Sequence, residues 1–416
     1  MNVLIKSATI IDSKSEFNNA TQDILIENGS IIKIDKVIPN TNNYTEIALD
    51  NLHVSQGWFD SSVCFGEPGF EDRETIINGL KTAGKSGFTA VAMQANTNPV
   101  IDSNSDVVFI KSKAQNNAVK LLPIGALTEN SNNKHLAELF DMKSAGAVAF
   151  YDYKKSISNP NLLKIALQYT NGFGGLVYSF PQENKISGSG VMNENITSTT
   201  LGLKGNPNLA EALQVARDLY ILEYTGGTLH IPTISTAESV DLIRKAKKKN
   251  LNITCSVAIH NLILADDVLT DFNTHYKVLP PLRTKSDINA LIKGIKDGTI
   301  DMVTSDHNPI TIEGKKVEFD YADYGTIGLE SAFGALQTIF PTEEVINLLT
   351  SGKAHYGCKD TPIMEGSAAN ITLFNPDTEY VFSSEHIYSK SKNSLFLDQT
   401  LKGSVYGIIA NNKIVL

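Results

Sequence analysis

The chain has 416 residues, 42% of them hydrophobic and 19% charged, with a formal net charge of -9 at pH 7; this suits a globular protein with one large domain and a small one. No apolar run approaches the roughly 18 residues needed to cross a bilayer, the start MNVLIKSATIIDSKSEF lacks a cleavable-signal pattern, and the basic cluster Lys245–Lys249 reads as the solvated face of a helix, so neither membrane nor nucleic acid is an expected partner. Cys64, Cys255 and Cys358 are too scattered for a disulfide framework or a Cys-x-x-Cys knuckle, which makes the cytoplasm the expected compartment.

Residues 1–53 alternate short apolar runs with turns, and Asn28-Gly29 between DILIE and SIIKI is a strong hairpin signal. From Val54 short apolar strands alternate with helix-length amphipathic segments. FDSSV is the first strand, and FEDRETIINGLKTAGKSG reads as a helix with acidic residues in its first turn and Gly87 at its close. The pairs FTAVAMQAN with VVFIKSKAQNNA, VKLLPIGAL with KHLAELFDMKSAG, and AVAFYD with NLLKIALQYTNGF follow as strand and helix. GGLVYSF, TLHIPTIS, NITCSVAIH and IDMVTSD are the remaining strands, separated by helices over 206–226, 238–250 and 287–298. That makes eight strands without polar alternation, as expected for a closed parallel (β/α)8 TIM barrel over 54–364. From about Glu365 the chain turns β-rich again, with a second turn at Asn411-Asn412. One small β-sandwich built from 1–53 and 365–416 is the economical arrangement for the two ends.

In such a barrel, chemistry sits at the C-terminal strand ends. The polar residues there are Ser62, Cys64, Asn96, Asp152, Ser179, Thr233, His260, Asp306 and His307. Their order, with GWFD (57–60), EPGFED (67–72), ANTNPV (95–100), GVMNE (190–194), STAESV (235–240), VLPPLRTKSD (278–287) and DGTIDMVTSDHNP (297–309), resembles the dihydroorotases of the amidohydrolase superfamily. The resemblance covers nearly the whole chain. It implies hydrolysis of dihydroorotate to carbamoyl aspartate, or the reverse. One or two zinc ions would activate water and an Asp on the last strand would shuttle the proton.

Carried over residue by residue, the resemblance is mostly one of losses. The paired metal histidines become Ser62 and Cys64, and the substrate-carboxylate arginine becomes Gly66. Further metal histidines become Ser179 (or Phe180) and Thr233. The substrate asparagine before Pro-Pro-Leu-Arg becomes Leu279, and a histidine four past the catalytic Asp becomes Ile310. Asn96 (substrate), Asp152 (a bridging carboxylate) and Asp306 (catalytic) survive. Asp at 152 argues against a hydantoinase-type carbamylated lysine. Zinc wants about four N, S or O ligands, so no metal is expected, although Cys64, Asp152 and Asp306 could form an S/O/O set.

Alternation along one strand would turn His230 away from Thr233. His260 and His307 read as hydrogen-bonded structural histidines, Cys64 as a small core residue, and Lys154 and Lys155 as solvent-facing. Without a cation, Asp152 and Asp306 would share a pocket, and desolvation with mutual repulsion would raise at least one pKa. The expectation is therefore a catalytically degenerate dihydroorotase homologue with a structural task. By analogy with degraded bacterial relatives, the partner would be aspartate carbamoyltransferase or a second copy of the chain. The alternatives are an active dihydroorotase with an atypical zinc site, and a binder of another small molecule in a pocket lined by Leu279, Ile310 and Phe180.

Overall fold

The computed structural model describes residues 1–416. Eight parallel strands stand side by side in chain order: Trp58–Val63, Phe88–Met93, Lys120–Gly125, Ala149–Phe150, Leu176–Tyr178, Thr228–Ile231, Ile253–Ala258 and Met302–Thr304. The ring closes between the last strand and the first, where Cys64 N donates to His307 O at 2.8 Å. WFDSSV and FTAVAM are buried at every position, which explains why these strands show no polar alternation: helices cover one face and the barrel interior the other.

The helices fall in the expected order, but several bounds shift: the second runs Asn104–Lys113, capped by Ser103, and the third is only Leu139–Ala145, starting five residues after Lys134. The first begins at Ile76, later than its acidic run suggests, because the Thr75 side chain caps Asn78 N. The acidic residues before it stay in the loop, and Glu67 Oε2 accepts from Ile76 N at 2.9 Å. Packing between barrel and helices builds a cluster of 70 buried residues. A smaller cluster, with Phe59, Tyr151, Tyr178, Phe180, Met302 and Tyr356, fills the barrel interior. Tyr356 rises from the turn Gly352–Tyr356 below the barrel and its hydroxyl meets that of Tyr178. The barrel is a packed core, not a channel.

The two ends of the chain form a second sheet along one hydrogen-bonded path. Thr21–Glu27 and Ser30–Asp35 are the hairpin expected around Asn28-Gly29, and Thr400–Ala410 and Lys413–Val415 flank Asn411-Asn412. His53–Gln56 pairs with residues 371–374, so this sheet runs past residue 53 to Gln56 before the barrel starts. Trp58 is the joint: it stacks on Phe333 with ring centroids 4.9 Å apart and lies beside Phe374 of the terminal sheet. Residues 383–399 leave that sheet, and Ile387, Leu395 and Phe396 join the barrel's outer core. No helix is long and apolar enough to cross a membrane.

Candidate functional site

The strand ends converge on the upper mouth of the barrel, and Asp60 organises them. Its Oδ1 accepts from Thr304 Oγ1 at 2.6 Å and from Ser62 N at 2.9 Å, while Oδ2 accepts from Ser305 N at 2.8 Å. One carboxylate thus clasps the first strand to the last. Ser62 reaches Asp306 through a long 3.4 Å contact and accepts from Gln94 Nε2 at 3.2 Å. Cys64 is buried, and desolvation pushes its thiol up to about 12, far from the thiolate a metal or a nucleophilic role requires. Gly66 has φ +71°, and a Cβ built there would lie 2.5 Å from Phe70 O. The backbone itself has no place for the arginine of the resemblance.

Lys154 departs most from the sequence expectation. Its side chain is only 10% exposed, and Nζ lies 2.7 Å from Oδ2 of Asp306, which is 2% exposed. Both residues hold left-handed backbone conformations, φ +53° for Lys154 and +48° for Asp306. Such conformations cost about 1–3 kcal/mol each in non-glycine residues and persist only where the surroundings enforce them. Tyr153 adds a 3.4 Å hydroxyl contact to Asp306 Oδ1, and Tyr151 accepts from Lys154 N. Lys154 therefore turns inward, contrary to the expectation of solvent exposure, because Asp306 without a countercharge would be a buried ion alone. Lys155 is exposed and its Nζ donates to Ser131 O.

Burial raises the Asp306 carboxyl above the usual range, and the Lys154 ammonium and the Ser62 and Tyr153 hydroxyls draw it back down. Asp152 is raised by burial as well. The direction expected from sequence is right. Burial is the leading cause for both carboxyls, and each has its own hydrogen-bond partners drawing it back down. Asp152 Oδ1 accepts from Leu127 N and Thr128 N at 2.9 and 3.0 Å, and Oδ2 from Thr128 Oγ1. It staples the loop after the third strand.

The other positions also serve the fold. Ser179 donates to Asp218 Oδ2 at 2.5 Å, and Arg217 holds the opposite oxygen at 2.7 Å. Thr233 sits just past the end of strand Thr228–Ile231 with φ +46°, and its Oγ1 is buried without a partner. His230 does not point outward. It lies inside the barrel, 4.4 Å from the Tyr178 ring, bonded to Thr254 and Ser256 hydroxyls. Within the strand His230 alternates with Leu229 and Ile231, which pack in the outer core; the strand stops at Ile231, so that alternation does not extend to Thr233.

His307 Nδ1 accepts from Gly328 N at 3.2 Å, as a structural histidine should. Its Nε2 and that of His260 are buried without partners, so full hydrogen bonding holds for neither. Asn96 Oδ1 is likewise unpartnered. Leu279 and Phe180 pack on the barrel interior cluster, whereas Ile310 is held by Asn393 Oδ1 on its backbone N.

The residues present do not fit a metal. No group of three or more His, Cys, Asp and Glu gathers in holding geometry. Asp152 has committed its oxygens to a loop, the Cys64 thiol is held protonated by burial, and Asp306 is paired with Lys154. The S/O/O set open from sequence is thus not assembled. Lys154 and Asp60 are the residues that sequence reasoning missed. A lysine two past Asp152, at the end of the fourth barrel strand and close to the mouth, was the available signal for the first. The Asp of GWFD at the barrel seam was the signal for the second.

A closed parallel barrel with its polar residues at the C-terminal mouth, joined to a sheet from both chain ends, defines an amidohydrolase-superfamily architecture. Residues 53–239 match the family model described as Dihydro-orotase-like. The chain is 38% identical over 423 residues to a dihydroorotase of Pelotomaculum thermopropionicum, spanning 100% of this chain and 99% of that one. It is 39% identical over 421 residues to a dihydroorotase of Thermoanaerobacter sp., spanning 100% and 97%. Among solved structures, L-hydantoinase from Arthrobacter aurescens superposes with a TM-score of 0.84 at 19% identity, covering 100% of this chain and 96% of that one. D-hydantoinase from Thermus sp. gives 0.83 at 20%, covering 99% and 94%. At such identity the hydantoinases speak for the fold alone. The chain belongs to the dihydroorotase family.

Proposed function

We propose that this chain is a catalytically degenerate, metal-poor member of the dihydroorotase family that serves as a structural partner, with aspartate carbamoyltransferase as the partner by analogy. The observation that carries the reading is the Lys154 ammonium on Asp306. The carboxylate that would share a metal and shuttle a proton is neutralised by the chain's own cation. Gly66 supports the same reading from the substrate side, because a bidentate donor for a substrate carboxylate has no backbone position there. Selective change at the mouth, on a barrel whose seam and core are complete, fits retention of the fold for another task.

A partner role also finds a surface. Helix Asn208–Thr225 exposes Leu209, Leu213, Tyr220 and Tyr224, with Tyr220 75% and Tyr224 78% exposed. At 100° per residue these four fall within about 60° of one helix face. Aromatic residues so displayed are typical of protein contacts.

The test has two arms on full-length protein purified without chelator. Metal analysis should find well under one zinc per chain, and dihydroorotate with added Zn²⁺ should not be hydrolysed. Light scattering with aspartate carbamoyltransferase should show a complex that Tyr220→Glu disrupts. Scattering of the chain alone separates self-association from that complex. Stoichiometric zinc with turnover would establish the second reading, an active dihydroorotase with an atypical site. The full-length likeness to proteins of that name favours it.

A further inference from the structure

A cavity of about 400 Å³ lies where the lower, N-terminal end of the barrel meets the terminal sheet, far from the strand ends described above. Lys120, at the start of the third barrel strand, and Lys359 line it with exposed side chains. Lys353 lines it as well and is only 2% exposed, yet its Nζ has no hydrogen-bond partner. No Asp or Glu is among the lining residues. The nearest carboxylates are already engaged. Asp360 is paired with Lys14, and Asp12 accepts from Gln56 Nε2, Lys14 N and Ile363 N. Thr361 Oγ1, also lining the cavity, is buried without a partner and can donate into it. A third unpartnered group, Asn370 Oδ1, faces Gly57 instead.

A buried ammonium without an acceptor is unstable unless something supplies the missing charge. Burial accordingly lowers the Lys353 amine to about 8. The surroundings specify the missing partner: three lysines, no arginine fork, and a neighbouring hydroxyl donor. Lysine acts as a point charge toward compact, multiply charged oxyanions, whereas planar carboxylates favour arginine.

We propose that this junction cavity binds a phosphate group, free or carried by a small ester, with the oxyanion on Lys353 and the rest of the molecule toward Lys120 and Lys359. The cavity volume leaves room for more than the oxyanion, which makes the ester the expected source. The site is independent of the barrel mouth, so it stands whichever way the catalytic question falls.

The experiment is calorimetry and thermal shift on the full chain with inorganic phosphate and, separately, ribose 5-phosphate, against chloride of matched ionic strength. Both should bind and raise Tm, ribose 5-phosphate more strongly; binding of phosphate alone would assign the cavity to the free ion. Lys353→Met should abolish the effect. Because that residue is buried and the variant could fail to fold, the double variant Lys120→Ala/Lys359→Ala decides independently. Both of its residues are exposed, so it should fold normally and bind about tenfold more weakly. No binding by either probe beyond chloride, or unchanged binding in the double variant, overturns the proposal.

Discussion

Replacing Lys154 by Met tests whether its ammonium is a structural element of the pocket. The substitution keeps the apolar stem and removes Nζ, leaving the 2%-exposed Asp306 with only the long Ser62 and Tyr153 contacts. Removing one partner of a buried ion pair costs about 3–5 kcal/mol, because the other charge is left behind. With about 2.1 cal/mol/K of unfolding entropy per residue over 416 residues, that is a fall in Tm of about 3–6 °C. Two companion variants separate the causes. Lys154→Gly also loses the charge but relieves the φ +53° backbone, so it should melt above Lys154→Met by the equivalent of roughly 1 kcal/mol. Lys154→Met/Asp306→Asn removes both charges and should recover about half of the loss or more. Thermal melts and urea titrations of the four proteins measure this directly. If Lys154→Met lies within about 0.5 kcal/mol of the parent, as an ordinary surface substitution would, and the double variant is no better, then Nζ is not seated on Asp306 and the reasoning fails.

Further outcomes follow from the same geometry. Restoring only the histidine pair, Ser62→His with Cys64→His, should leave the chain without stoichiometric zinc, since Asp306 and Asp152 stay committed to Lys154 and the 127–128 loop; one zinc per chain by elemental analysis would contradict this. Asp60→Ala should cost about 2–4 kcal/mol, because it opens the barrel seam and orphans Thr304 Oγ1 and two backbone N–H groups. A urea midpoint close to the parent would remove Asp60 from that role. His260 is lowered to about 3 by burial, so below pH 6.5 the unfolded chain binds a proton there that the folded chain refuses. Stability is then lost as pH falls from 6.5 toward 5. The stability difference between the parent and His260→Gln should change by about 1.4 kcal/mol per pH unit across that window, to the parent's disadvantage. Parallel pH curves would show that His260 protonates freely in the fold.

The barrel and its β companion are legible in the sequence because their causes are local and repeated. Eight apolar runs of strand length alternate with amphipathic helices, and turn dipeptides mark both ends of the chain. What could not be read is where side chains go once a strand stops. His230 faces inward in alternation with Leu229 and Ile231, and the strand ends at Ile231, so no alternation rule carries that pattern on to Thr233. Lys154 lies in a segment that looks like any solvent-facing loop. Its inward course depends on a left-handed backbone and on a carboxylate 152 residues further along the chain. Asp152 gave the opposite lesson: its identity suggested a shared pocket, and its hydrogen bonds assign it to a loop.

By itself the sequence determined the family and the architecture, since the repeated strand–helix pattern and the motifs at fixed spacing are enough for both. Only the tertiary structure decided how the polar residues at the barrel mouth are partnered. Charge balance in a buried site is settled between residues distant in the chain, and here it is settled by an ammonium placed where burial leaves Asp306 no other countercharge.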